Sequence, residues 1–226
     1  MPDDPVAIRP DKTVRLTVFA LEGQSETALR LEQFAESGLL ADAWQKMKDD
    51  AGLRRYQELP NTDASLAVLE NGLHRLSPKF AFLASEIYRG QMQLYFKSFP
   101  EIEALDVDVR VEKGPRYFNR LSHVDNVCYQ DHPVAVNTMF GWETHIVLRE
   151  PTASEVMGRG IYLKDEDMPL IARLRKGDIG WMFMGDRSII HFAPDLEEED
   201  LRVATVMKPS RGSLQRLGIA VDDFRR

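Results

Sequence analysis

Cysteine is almost absent from this chain of 226 residues, Cys128 being the only one. A single thiol excludes an intramolecular disulfide framework and any metal site built from several cysteine ligands. Positive charge is also scarce: 29 Lys and Arg against 36 Asp and Glu give a formal net charge of −7. That balance suits non-specific nucleic-acid binding poorly, because such binding neutralises phosphates with Lys and Arg, and no dense basic tract offsets it. Long hydrophobic runs are missing too; none approaches the ~20 residues that span a bilayer. The opening Met1-Pro-Asp-Asp-Pro is acidic and has no apolar core, so it does not read as a signal peptide. Together these absences predict a cytoplasmic protein with neither a membrane nor a nucleic acid as partner. Gly (14) and Pro (12) are ordinary in number, which excludes fibrous and low-complexity classes.

What is present changes texture near residue 105. Before it the pattern is mainly helical. Leu29, Leu31, Phe34, Leu39, Leu40 and Trp44 suit one or two amphipathic helices between Gln24 and Asp49. Asn61-Thr-Asp offers a helix start before Leu66 to Leu76. Pro78 opens a further helix in which Phe80, Leu83, Ile87 and Leu94 form a stripe, weakened by Gly90 and ending by Phe99-Pro100. Thr13 to Leu21 alternates like a strand that extends a later sheet. After residue 105 the period falls to two: Val107 to Val111, Arg116 to Leu121, Val134 to Met139, Glu143 to Leu148, Ile161 to Leu163, Ile179 to Met184, Ile189 to His191 and Arg202 to Met207 are strand candidates. Gly114-Pro115, Asp131-His132-Pro133, Gly158-Arg-Gly160 and Gly177-Asp178 punctuate them. The acidic run Glu197 to Asp200 reads as a solvated loop. Helices followed by many short strands favour an α+β fold, with helices packed on an antiparallel sandwich or barrel. The expected organisation is one domain over 1–226, in which 1–105 is mainly helical support with one early strand and 106–226 is the β core.

Of the five histidines, His74 falls in the helical half and reads as a surface or helix-end residue. His123 and Asp125 stand at i and i+2, which on a strand puts an imidazole and a carboxylate on one face. His191 ends two strand candidates joined by a turn at Gly185-Asp186, a hairpin able to return it to the first pair. Two His and one carboxylate on one face of a metal, with other positions open, form the facial triad of non-haem iron(II) oxygenases. Arg202 follows eleven residues after His191 and opens a strand, where a guanidinium can clamp a carboxylate in bidentate fashion. His132 in a turn, and His145 with only Arg149 close behind it, are weaker rivals for the second histidine and read as pocket or structural residues.

The ordered set His123-x-Asp125, His191 and Arg202, with the Lys176-Gly177-Asp178 turn ahead of the second histidine, resembles the iron(II)/2-oxoglutarate-dependent oxygenase superfamily over roughly residues 106–210. The resemblance implies a double-stranded β-helix, the jelly-roll and cupin-like core, with the helical amino-terminal half packed on it. It implies Fe(II) held by His123, Asp125 and His191, with 2-oxoglutarate held through its 5-carboxylate by Arg202 and contacted by Asn119 and Thr205. O2 would be the oxidant, succinate and CO2 the by-products, and an unactivated C–H of a small molecule, such as an amino acid or natural-product intermediate, the target. Hydroxylation is the expected outcome, with desaturation or cyclisation open to the same chemistry. Halogenation is disfavoured because Asp125 fills the position that is Gly or Ala in related halogenases. Arg116, Arg120, Asn126, Tyr129, Thr138, Trp142 and His145 are candidates for lining the substrate pocket. Two alternatives stay open: a cupin-like metal dioxygenase or isomerase that does not use 2-oxoglutarate, and a non-catalytic β-sandwich binding protein.

Overall fold

The computed structural model describes residues 15–20, 26, 27, 30, 57–60, 62, 74, 78–115, 117, 121–124, 132–157, 160–183, 188–198 and 200–219. Two antiparallel sheets face each other, and one long helix covers the outer side of the larger sheet. The strands are β1 (Leu16–Phe19), β2 (Gln57–Pro60), β3 (Ala104–Lys113), β4 (Leu121–Ser122), β5 (Val134–Phe140), β6 (Thr144–Val147), β7 (Ile161–Tyr162), β8 (Ile171–Leu174), β9 (Ile179–Met182), β10 (Ile190–Phe192) and β11 (Leu201–Pro209). The helices are α1 (Pro78–Ser98), α2 (Ala153–Met157) and α3 (Arg211–Arg216), with a 3-10 turn over Asp165–Leu170. The large sheet runs β1-β9-β5-β11-β3-β2, the small one β10-β6-β8, and β4 pairs with β7.

Helix α1 forms where the apolar stripe predicts it and stops at Ser98, before Phe99-Pro100. Gly90 does not interrupt it, although glycine costs about 1 kcal/mol against alanine in a helix interior. Ala81, Ile87, Tyr88, Leu94 and Tyr95 are at most 1% exposed and face the large sheet. Trp181 of β9 packs among the aromatic rings here, 5.7 Å from Tyr95, 5.3 Å from Phe99 and 4.5 Å from Phe19. The Tyr95 hydroxyl donates to the Pro133 carbonyl at 2.7 Å, tying α1 to the start of β5. His132 belongs to the same corner, with Nε2 3.2 Å from Glu101 and its ring against Phe99. It serves this junction.

Strand β1 joins the large sheet at its edge beside β9, the role expected of the early strand. Residues 26, 27, 30 and 74 are helical, while most of the two amino-terminal helices expected before residue 77 lies outside the described residues. Strand β8 and the 3-10 turn before it were not anticipated: Ile171-Ala-Arg-Leu is too short to show a period. No helix among the described residues is long and apolar enough to cross a membrane.

Two fastenings fix the loops. After β6, Arg149 lies between two carboxylates, 2.8 Å from Glu155 and 2.5 Å from Asp167. Asp167 also accepts from the Lys164 backbone N–H. At the far end of β3, Gly114 N–H donates to the Asp200 carbonyl at 2.9 Å. A Cβ at Gly114 would stand 1.5 Å from the Glu197 carbonyl oxygen, so only glycine allows β3 to end this close to the loop before β11.

Trp181→Ala should cost about 3–5 kcal/mol of unfolding free energy, read by urea denaturation; a loss under about 1 kcal/mol would mean that α1 does not depend on this ring. The Arg149 guanidinium holds the Glu155 carboxyl down to about 2, against opposing burial and with help from Thr152. A depressed carboxyl stabilises the fold above its unfolded value of 4.5, and that contribution is lost as pH falls towards about 2. Arg149→Ala should therefore flatten the acid side of the stability–pH curve, measured as urea midpoints across that window.

Candidate metal and co-substrate site

Strand β10 pairs with β6 so that His191 lies opposite Ile146. On its other side His191 meets His123 in an isolated antiparallel bridge, with His123 N–H donating to the His191 carbonyl at 3.1 Å and the reverse bond at 3.0 Å. A bridge of this kind sets both side chains on one face. The two imidazoles stand 4.4 Å apart between centroids, inclined at 57°. Alternation sends the neighbours the other way: Val124, Ile190 and Phe192 join Val147, Ile161 and Leu163 in a separate apolar cluster. His191 is 7% exposed. Its Nδ1 lies 3.2 Å from the Ile189 carbonyl; donation there puts the Nε2 lone pair on the side that ligates a metal. Asp125, the third expected donor, lies outside the described residues. Among those described, no group of three His, Cys, Asp or Glu side chains is assembled for a metal. The chemistry of the two histidines fits iron(II), as it fits other imidazole-binding metals.

Arg202 is 4% exposed. Its Nε donates to the Trp142 carbonyl at 2.9 Å, NH1 to Glu112 at 2.5 Å, and NH2 to Thr144 at 2.7 Å and Thr138 at 3.5 Å. Thr144 is two residues from Ile146 on β6, so Arg202 is anchored on the face of the small sheet that carries His191, one strand away. The turn Gly141-Trp142, with Gly141 at φ 79°, presents the Trp142 carbonyl to Arg202. The Trp142 ring itself is exposed. Arg202 is thus a buried guanidinium held by one carboxylate, one carbonyl and two hydroxyls.

The structure separates other residues expected beside it. Thr205 is an odd number of residues from Arg202 on a continuous strand and faces α1, where its hydroxyl meets Tyr88. Burial, then Asp108, raise the Tyr88 phenol well above its ordinary range, and Thr205 acts against them. Strand alternation puts Thr205 on the face of β11 opposite Arg202. His145 lies opposite Phe192 on β10, on the face away from His191, with its ring 5.0 Å from Phe192. Burial, then Arg173, lower its pKa, with Arg202 adding to them. Thr138 faces the space between the sheets and bonds Thr144 at 3.2 Å. Arg116, Asn119, Arg120, Asn126 and Tyr129 lie outside the described residues.

Strand β3 supplies residues that periodicity alone did not single out. Its register with β11 places Glu112 opposite Arg202, Arg110 opposite Ala204 and Asp108 opposite Val206. Glu112 and Asp108 are thus on the Arg202 side of β3, while Arg110 between them is exposed and donates to Asp108 at 2.8 Å. Leu105 and Val107, on the other face, are buried against α1. The signal was present: a strand with one apolar face against a helix, in a two-sheet fold, must turn its charged face inward.

No family profile matches the chain, and no curated protein matches it. Solved structures do resemble it. One is a prolyl-4-hydroxylase from Pseudomonas putida, at 10% identity and TM-score 0.38, covering 92% of this chain and 98% of that one. Another is HygX from Streptomyces hygroscopicus with nickel and 2-oxoglutarate bound, at 14% identity and TM-score 0.40, covering 90% and 87%. A third is EvdO2 from Micromonospora carbonacea var. aurantiaca complexed with 2-oxoglutarate, at 13% identity and TM-score 0.39, covering 91% and 94%. At TM-scores of 0.40 or less and identities of 14% or less, no residue role follows from these likenesses.

Thr144→Val should cost about 1–3 kcal/mol of stability, since it removes a buried bond to a charged group. A change within about 0.5 kcal/mol by urea denaturation would show that Arg202 does not rely on this hydroxyl.

Proposed function

We propose that the chain is a non-haem iron(II)- and 2-oxoglutarate-dependent oxygenase, folded over 1–226 as one domain around a double-stranded β-helix. The observation that carries this is the His123–His191 bridge, on the same face of the small sheet as the Thr144 anchor of Arg202. Two imidazoles side by side, with a buried guanidinium anchored on the same sheet face, support this reading.

In this reading His123, Asp125 and His191 hold iron(II), and Arg202 takes the distal carboxylate of 2-oxoglutarate, with Thr144 and Thr138 fixing the guanidinium. Asn119 is a further candidate contact to the co-substrate. Iron(II) with 2-oxoglutarate and O2 supplies the oxidising power for hydroxylating an unactivated C–H, with one oxygen atom entering the product and the other entering succinate as CO2 leaves. The protein contributes position and exclusion of water. The substrate is a small molecule such as an amino acid or natural-product intermediate, and the polar inward face of β3 suits a charged one. Arg116, Arg120, Asn126, Tyr129, Thr138 and Trp142 remain the candidates around it.

One observation favours a second function. Arg202 already has a carboxylate partner in Glu112, as expected of a purely structural arginine in a cupin-like metal enzyme that does not use 2-oxoglutarate.

Anaerobic addition of iron(II) and 2-oxoglutarate separates the two. The proposed oxygenase shows the weak visible charge-transfer band of the chelate; His123→Ala and Asp125→Ala abolish it, and Arg202→Met needs at least about tenfold more 2-oxoglutarate, a loss near 1.4 kcal/mol. No band in the folded wild type at saturating iron(II) and 2-oxoglutarate would give the second function the advantage.

A further inference from the structure

Resting on that function, we propose that Glu112 sets the affinity of the site for its dicarboxylate co-substrate by competing for Arg202. The guanidinium is 4% exposed and the Glu112 carboxylate 11% exposed, in contact at 2.5 Å. The other ends of the guanidinium are committed as well, to the Trp142 carbonyl and to the Thr144 and Thr138 hydroxyls. Arg202 is therefore held by a permanent internal anion before any ligand arrives.

A second carboxylate reaching this guanidinium meets Glu112 beside it. With the co-substrate carboxylate added, two anions contact the same guanidinium. Their repulsion is weakly screened at such burial. The nearest further cation on this face of β3 is Arg110, two residues along, and it is paired with Asp108 at 2.8 Å. Glu112 thus keeps Arg202 ordered and its buried charge compensated when the site is empty, at the expense of affinity when it fills. A site built this way responds to the concentration of its co-substrate instead of staying saturated.

The test is calorimetric titration of the anaerobic iron(II) protein with 2-oxoglutarate and, separately, with pyruvate. Both keto acids chelate a metal in the same way, but pyruvate has no distal carboxylate to reach Arg202. Glu112→Gln keeps an acceptor for the guanidinium and removes the charge. It should tighten 2-oxoglutarate by about tenfold and leave pyruvate unchanged. Glu112→Asp, which draws the carboxylate back from Arg202 without removing the charge, should shift 2-oxoglutarate in the same direction by less, and it serves if the Gln variant does not fold. Unchanged or weaker 2-oxoglutarate binding, or equal shifts for both keto acids, would overturn the competitor role while leaving the oxygenase function standing. Absence of 2-oxoglutarate binding by the folded, iron-loaded wild type would overturn both.

Discussion

The pair of backbone hydrogen bonds between His123 and His191 is the constraint on which the site depends. Neither side chain is positioned by its own packing alone. The bridge makes the two residues direct partners, and strand alternation then forces both imidazoles to one face and Val124, Ile190 and Phe192 to the other. The apolar cluster on that second face stabilises the arrangement, since turning either strand over would expose it and bury two imidazoles in its place. The pairing of the two imidazoles is a by-product of which face is apolar.

The space between the sheets is unusual for a sandwich. A two-sheet protein ordinarily fills that layer with apolar side chains from both sheets. Here β3 contributes Asp108 and Glu112, and β11 contributes Arg202. Burying such charges is expensive, and an apolar pair of similar volume is often as stable or more so. Stability alone gives little reason for the Arg202–Glu112 pair. The main core around α1 and Trp181 also takes in Ile146 and Leu174 of the small sheet, so the polar groups lie beside apolar packing.

Much of this was legible in the sequence. The strands carrying His191 and Arg202 alternate clearly, their eleven-residue spacing fits one loop and a return strand, and α1 has an unmistakable stripe. Less legible were the faces. Thr205 and His145 were placed near the site by proximity in sequence, yet each lies on the opposite side of its strand, because the strand that contains a site residue turns only every second neighbour towards it. Glu112 went unnoticed for a different reason: one chain position says nothing about its cross-strand partner, and the Glu112–Arg202 register spans 90 residues. Strand β8, at four residues, is too short for any period to declare itself.

The close approach of Gly114 to Glu197 and Asp200 makes the segment before β11 a fixed ruler. Because the loop is gripped there, length added between Phe192 and Leu196 can be looped out at the surface while β11 keeps its place beside β3. One residue added after Asp200 cannot be absorbed in that way; it would turn Arg202 outward and bring Leu201 to face the histidines. Tolerance to insertion should therefore change abruptly within a few positions of the same loop, and lineages diverging from this protein have room to vary on one side of the grip and almost none on the other.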